Sequence, residues 1–184
     1  MLLETLAASL PAYARDLARN LVSLEEETLL SEQQKWGCFV ASAHALGVAP
    51  VVQAIEASAA AAGLSAEAGE AAKGAAAIMA QNNVYFSAVG VMANLDYRSF
   101  RTRLRMNIVQ RPGVPRGDFD LWCVAVSAIN GCADCLDDHE ASARRAGVEP
   151  AEIQAALRIA AVVNGVSRVL AGEASAQRAA PVST

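Results

Sequence analysis

An all-α fold is what this sequence predicts, and three observations predict it. Alanine dominates the 184 residues, only nine residues are aromatic, and glycine and proline fall mostly at plausible helix boundaries. No stretch reads as a convincing strand. With 54% hydrophobic residues the chain has material for one or two compact domains with a substantial core. The organisation expected is a single domain over 1–184, built from an internal repeat of two helical units.

The first helix is expected to run to about Ser9, with Pro11 opening a second that aligns Tyr13, Leu17 and Leu21 on one face. Glu25-Glu26-Glu27 reads as a solvated charge run. Ser31 followed by Gln34 resembles a capping box, and Trp36, Phe39, Val40, Ala43 and Leu46 form the apolar stripe behind it, ended by Gly47. A helix from about Pro50 to Ala62 stops at Gly63, and Ser65 caps a long Ala-rich helix reaching towards Gly90. The stretch 97–117 carries Arg98, Arg101, Arg103, Arg105, Arg111 and Arg116 with Pro112 and Pro115, and reads as a linker whose arginines are solvated or paired with the acidic surface, a docking face for an acidic partner being the alternative. Asp118 is expected to cap the helix carrying Trp122, Val126 and Ile129 into Asn130-Gly131, and the CxxC segment opens the next. Glu149-Pro150 starts a last helix bearing Ile153, Leu157, Ala160 and Val163. Gly165 is a candidate break or kink, and the end beyond Gly172, with Pro181, is expected to fray.

Matched to itself, the chain pairs Cys38 with Cys123, Ser42 with Ser127 and Lys73 with Arg158 at an offset of 85. Glu56-Ala57-Ser58-Ala59 matches Glu140-Ala141-Ser142-Ala143 at 84, as does Gly63 with Gly147. The repeat halves are about 31–92 and 117–172. At the offset of 85, Cys132 and Cys135 correspond to Gly47 and Pro50, so the second half alone holds the chemistry.

That chemistry is Cys132-Ala133-Asp134-Cys135 with His139, one of only two histidines. On a helix these three side chains share a face. CxxC spacing lets two sulfurs meet, and the free N–H groups of a helix start favour a thiolate. His139 is placed to hold or relay a proton, while Asp134, Asp137 and Asp138 oppose thiolate formation. A metal site made of Cys132, Cys135, His139 and Asp138 or a distant fourth group is the nearest rival; buried structural cysteines are another. Cys38, Cys123, Trp36 and Trp122 read as core, His44 as a satisfied helix histidine, and Asp120, from spacing alone, as a surface helix residue.

The net charge of −4 offers no basic stripe for phosphates, so neither nucleic acid nor an anionic membrane surface is an expected partner. Met1-Leu2-Leu3-Glu4-Thr5-Leu6 has an acid where a secretory signal needs a basic region, and no apolar run reads as a membrane span. A soluble cytoplasmic protein is the expectation, and there a CxxC is redox-active or metal-binding rather than part of a disulfide framework.

Phe119-Asp120-Leu121-Trp122, then Ser127-Ala128-Ile129-Asn130-Gly131-Cys132-Ala133-Asp134-Cys135 and His139, resemble the alkylhydroperoxidase AhpD family of the carboxymuconolactone decarboxylase superfamily. Leu10-Pro11-Ala12-Tyr13-Ala14, Ala75-Ala76-Ala77-Ile78-Met79, Asn82-Asn83-Val84 and Leu104-Arg105-Met106-Asn107-Ile108 extend the likeness over nearly the whole chain. The resemblance implies an all-α fold with an internal repeat, commonly a homotrimer. It implies a dithiol, with no bound cofactor, that reduces alkyl hydroperoxides weakly and passes electrons from dihydrolipoamide on an acyltransferase to a peroxiredoxin. It also implies roles: Cys135 as the more exposed, peroxide-attacking cysteine, Cys132 as the partner that closes the disulfide, and His139 as the relay. The acidic relay position, usually glutamate, falls on Asp120. A helix-start argument favours Cys132 as the thiolate; the resemblance points to Cys135. Two departures stand out: Asp120 is one methylene shorter than glutamate, and Asp134 puts an anion beside the sulfurs where relatives often carry histidine. A decarboxylase-like enzyme of the superfamily and a non-catalytic oligomeric helical binding module are the alternatives.

Overall fold

The structure, a computed structural model, describes residues 2–179, and among these it is helical with no strand. The elements are α1 (Leu2–Ala8), a single 3-10 turn (Ala12–Ala14), α2 (Arg15–Glu25), α3 (Glu32–Leu46), α4 (Ala49–Ala61), α5 (Ala66–Val91), α6 (Asp96–Ser99), α7 (Asn107–Gln110), α8 (Arg116–Asn130), α9 (Ala133–Arg145) and α10 (Pro150–Ala179).

Two helices make the centre. Every residue of α3 from Lys35 to Ala43 is buried, as is every residue of α8 from Phe119 to Ser127. A helix apolar on all sides must be covered on all sides, and α8 packs against α3, α5, α9 and α10 while α3 packs against α4, α5, α8 and α10. Gly37 sets how closely they meet: a Cβ there would lie 2.1 Å from Cε2 of Trp122. The indole N–H of Trp122 in turn donates to the Gln34 carbonyl at 3.1 Å. Lys35, buried in the same stretch, donates to the carbonyl of Glu25 (2.9 Å) and to Glu32 Oε1 (2.8 Å), which satisfies its ammonium.

Local signals act as their chemistry dictates. Ser31 and Gln34 form the full capping box on α3, and Ser65 accepts from the Ala68 N–H at the start of α5. Helix boundaries recur at a fixed spacing: α3 and α8 begin at 32 and 116, α4 and α9 at 49 and 133, α5 and α10 at 66 and 150, each 84 residues apart. Left-handed glycines keep the same register, Gly47 with Gly131 and Gly63 with Gly147. In this register Cys132, Cys135 and His139 stand opposite Val48, Val51 and Ile55, rather than opposite Gly47 and Pro50 as the offset of 85 gives. Val51 and Ile55 are fully buried, so the first half has core where the second has chemistry.

Several expectations are corrected. Tyr13 is 72% exposed and donates to Glu173, because the 3-10 turn before α2 rotates it off the face of Leu21. Glu27 is no free charge, since it accepts from Arg158 of α10. Asp118 lies in the first turn of α8 but caps nothing, accepting instead from Gln33 Nε2 at 2.7 Å; Pro115 is the N-cap residue. Gly165 does not break α10, which runs through it. The missing side chain instead admits Leu17, whose Cδ2 would be 2.8 Å from a Cβ at that position. The helix also continues past Gly172 to Ala179, while Pro181 lies outside the described residues. By length and composition α10 is apolar enough to cross a membrane, contrary to the reading of the sequence. Here it is a core helix, packed on α2, α3 and α8 through buried Ile153, Ile159, Val163 and Val166.

Candidate active site

The site is organised by a reversal of the chain between α8 and α9. Gly131 takes φ 71°, the left-handed conformation that only glycine adopts without cost. This lets the Cys132 N–H close back on the Ser127 carbonyl at 3.1 Å. Cys132 then serves as the N-cap of α9, its Sγ accepting from the Cys135 N–H at 3.3 Å. A sulfur thus takes the place usually held by a serine or aspartate oxygen, where helix N–H groups favour negative charge. The two sulfurs are paired, with Cα atoms 5.4 Å apart. Cys132 is completely buried, whereas Cys135 retains 5% exposure and lines a cavity.

One turn further along α9, His139 directs Nδ1 to Asp120 Oδ1 at 2.8 Å. Asp120 is fully buried on α8, so its surface reading is overturned: the helix face carrying it is turned to α9, not to water. Its other oxygen, Oδ2, accepts from Arg116 Nε at 2.6 Å, and Ser142 adds a further hydrogen bond. Burial pushes the Asp120 carboxyl up, but the hydrogen bonds from His139, Arg116 and Ser142, together with the Arg116 charge, outweigh it and hold the group below the ordinary aspartate value. An ionised Asp120 selects the imidazole tautomer with its proton on Nδ1 and leaves Nε2 as the basic nitrogen. Burial drives Cys123 the other way, well above the ordinary thiol value, with the Asp120 charge adding to it, and burial likewise raises Cys38. Both are core thiols.

The cavity beside Cys135 and His139 measures about 300 Å³. Met79 and Phe86 of α5, with Met106 and Val109 at α7, supply an apolar wall; Asn82, Arg116, Asp138, Ser142 and Arg145 supply the polar one. Beneath it, buried Asn83 donates to Ser127 Oγ at 3.0 Å and accepts from Asn130 Nδ2 at 2.9 Å. These bonds tie α5 to the end of α8 and hold the turn that presents Cys132.

The structure therefore brings Cys132, Cys135, His139 and Asp120 together. Asp134 is exposed, does not line the cavity, and rests against Gly90 of α5. Arg116, Ser142 and Asn82 are site residues that the sequence reading missed. Arg116 had a legible signal, standing four residues before Asp120 at the spacing of a helical ion pair; Asn82 had its polarity within an Ala-rich helix and its place in the Asn82-Asn83-Val84 motif, which named no role for it. His44 is held by Glu56 at 2.9 Å, and Glu56 also takes Lys73 at 2.9 Å. Among the described residues no three His, Cys, Asp or Glu side chains gather as metal ligands.

Residues 96–178 match the family model described as the carboxymuconolactone decarboxylase family. Over nearly its whole length the chain is similar to proteins named alkyl hydroperoxide reductase AhpD. The protein from Hyphomonas neptunium (strain ATCC 15444) is 55% identical over 175 residues, 95% of this chain and 97% of the relative. That from Caulobacter vibrioides (strain NA1000 / CB15N) is 54% identical, covering 95% and 96%. That from Maricaulis maris (strain MCS10) is 51% identical, covering 94% and 99%.

Proposed function

Because the chain belongs to the alkyl hydroperoxide reductase AhpD family, we propose that it is a thiol-disulfide oxidoreductase that reduces organic hydroperoxides through Cys135 and Cys132. The observation that carries this reading is the placement of Cys135 in the wall of a cavity shared with His139, whose ring is fixed by the buried Asp120. In the reduced enzyme the Cys135 thiolate attacks the terminal oxygen of the hydroperoxide. The O–O bond breaks, an S–OH group forms, and the departing alkoxide takes a proton. Cys132 then attacks the Cys135 sulfur, closing the disulfide and expelling the hydroxyl group, which leaves as water once protonated. His139 Nε2 removes the thiol proton and returns it to a leaving oxygen, positioned acid-base help worth roughly 10²–10⁴-fold.

A dithiol donor must then return two electrons and two protons. Dihydrolipoamide on an acyltransferase fits as donor, with a peroxiredoxin as a further acceptor, no bound cofactor, and the cytoplasm as the compartment. A homotrimer is the assembly we propose, supported by the exposed apolar side chains of Val84, Val91, Leu95 and Phe100. The shared 84-residue helix register supports descent of the halves 31–92 and 117–172 from one unit.

The test is thiol counting before and after one equivalent of cumene hydroperoxide, followed by turnover with dihydrolipoamide and its dehydrogenase. Two thiols are lost together, and Cys132→Ser or Cys135→Ser abolishes turnover. Retention of both thiols, or full turnover in either variant, overturns the proposal. The name of the matched family favours one second reading, a lactone decarboxylase, which predicts turnover of a carboxymuconolactone by the double serine variant.

A further inference from the structure

Arg116 was read from the sequence as one of six linker arginines, yet it lines the cavity and makes two bonds in different directions. Its Nε donates to Asp120 Oδ2 at 2.6 Å, and its Nη1 donates to the Val109 carbonyl at 2.6 Å. We propose that Arg116 is a positioning residue that ties the substrate-facing wall of α7 to the proton relay, acting through Asp120 on one side and Val109 on the other. The inference rests on the proposed peroxidase reading and assigns a further residue to that same site.

The relay side follows from the carboxylate. Rotation about the bond that bears it is soft, so the hydrogen bond that Oδ1 accepts from His139 leaves its plane, by itself, loosely defined. A second charge-assisted bond on Oδ2 defines that plane, and with it the direction in which the imidazole is held.

The wall side follows from the shortness of α7. Four residues form too few hydrogen bonds to sustain a helix unaided. One external anchor is Ile108, whose Cδ1 fills the space left by Gly74 of α5, 2.3 Å from where a Cβ would be. The other is the Arg116 guanidinium on Val109, and Met106 and Val109 on either side of Ile108 line the cavity. A planar guanidinium has donors enough, fixed in a fork, to serve both directions at once. Lysine keeps the charge but concentrates its donors on one nitrogen, so Arg116→Lys separates charge from bridging, whereas Arg116→Gln removes both.

The titratable groups around Asp120 are Arg116 on its own helix and His139 on α9, with Cys123 beside it on α8 and Asp138 and Arg145 of α9 at the cavity. The experiment combines two readouts independent of turnover with steady-state kinetics on the full chain. The ¹³C carboxyl titration of Asp120, low in the parent, moves up in Arg116→Gln and stays low in Arg116→Lys. Hydrogen exchange at 107–110 quickens in both variants. With cumene hydroperoxide, KM rises by about tenfold in both, while kcat falls about tenfold further in the Gln variant than in the Lys variant, the range expected from losing single charge-assisted hydrogen bonds. Identical carboxyl titrations in the parent and Arg116→Gln, or unaltered exchange at 107–110, overturn the inference. An inactive parent whose titration and exchange behave as stated overturns only the peroxidase reading.

Discussion

Replacing Asp120 with asparagine changes one atom's identity in a fully buried position, and the geometry sets the consequence. The carboxylate accepts from His139 Nδ1 at 2.8 Å through one oxygen and from Arg116 Nε at 2.6 Å through the other. An amide has only one acceptor oxygen. Arg116 can only donate, so the amide oxygen turns to Arg116 and its NH₂ faces His139. Nδ1 must then accept, the ring proton moves to Nε2, and the nitrogen that served as base no longer can. Activity is therefore expected to fall by about 10²–10⁴-fold, the range for loss of a general base or its tautomer, rather than by the few-fold loss of a remote charge.

The fold pays less. One charged hydrogen bond is weakened and another reversed, and Arg116 is nearly half exposed, so solvent discounts its loss; about 1–3 kcal/mol is expected. The pH dependence gives a separate check. Because the folded-state pKa of Asp120 lies below its unfolded value, its contribution to stability is present above the unfolded value of about 4 and is lost as pH falls through the folded one. Urea unfolding from pH 7 to pH 2.5 should show a shallower acid loss for the asparagine variant than for the parent. Peroxide kinetics on the same samples complete the assay. A variant within threefold of parental activity at pH 7 would refute the tautomer argument, and so would parallel acid limbs in the two unfolding series.

Three further outcomes follow from the packing. Gly37→Ala drives a methyl group into the Trp122 ring and should destabilise the chain by at least about 1–3 kcal/mol in urea unfolding, whereas Gly69→Ala, with open space around it, should not destabilise it. Gly131→Ala forces a left-handed φ on a residue with a Cβ, costing about 1 kcal/mol, and should slow disulfide closure after peroxide more than it lowers Tm, because that turn seats Cys132. Asn83→Ala leaves Asn130 and Ser127 without their shared partner and should cost about 1–3 kcal/mol by the same unfolding assay. The cysteine pairing distance, read from a structure of that variant, tests whether α5 braces the turn.

What could be read from the chain was what depends on neighbours along it. The capping box at Ser31 and Gln34, the stops at Gly47 and Gly63, the long helix from Ser65 and the approach of Cys132 to Cys135 all involve residues within a few positions of one another, so local geometry determines them. Three places show where such reasoning fails. Asp120 looked like a surface residue because an isolated helix does not reveal what lies against it, and only the docking of α9 on α8 buries the carboxylate and supplies His139, 19 residues away. Arg116 looked like linker because its neighbours are arginines and prolines, yet α8 begins at it and the Asp120 charge draws it inward. Gly165 looked like a break, but Leu17, far away in sequence, fills the space its side chain would take. A helical sequence by itself determines which residues share a face and where that face begins and ends. Which face meets which is decided by steric fit and burial between helices distant in sequence, and for that reason the dithiol was legible while the cavity, its wall and the two-sided hold on Asp120 belong to the tertiary structure alone.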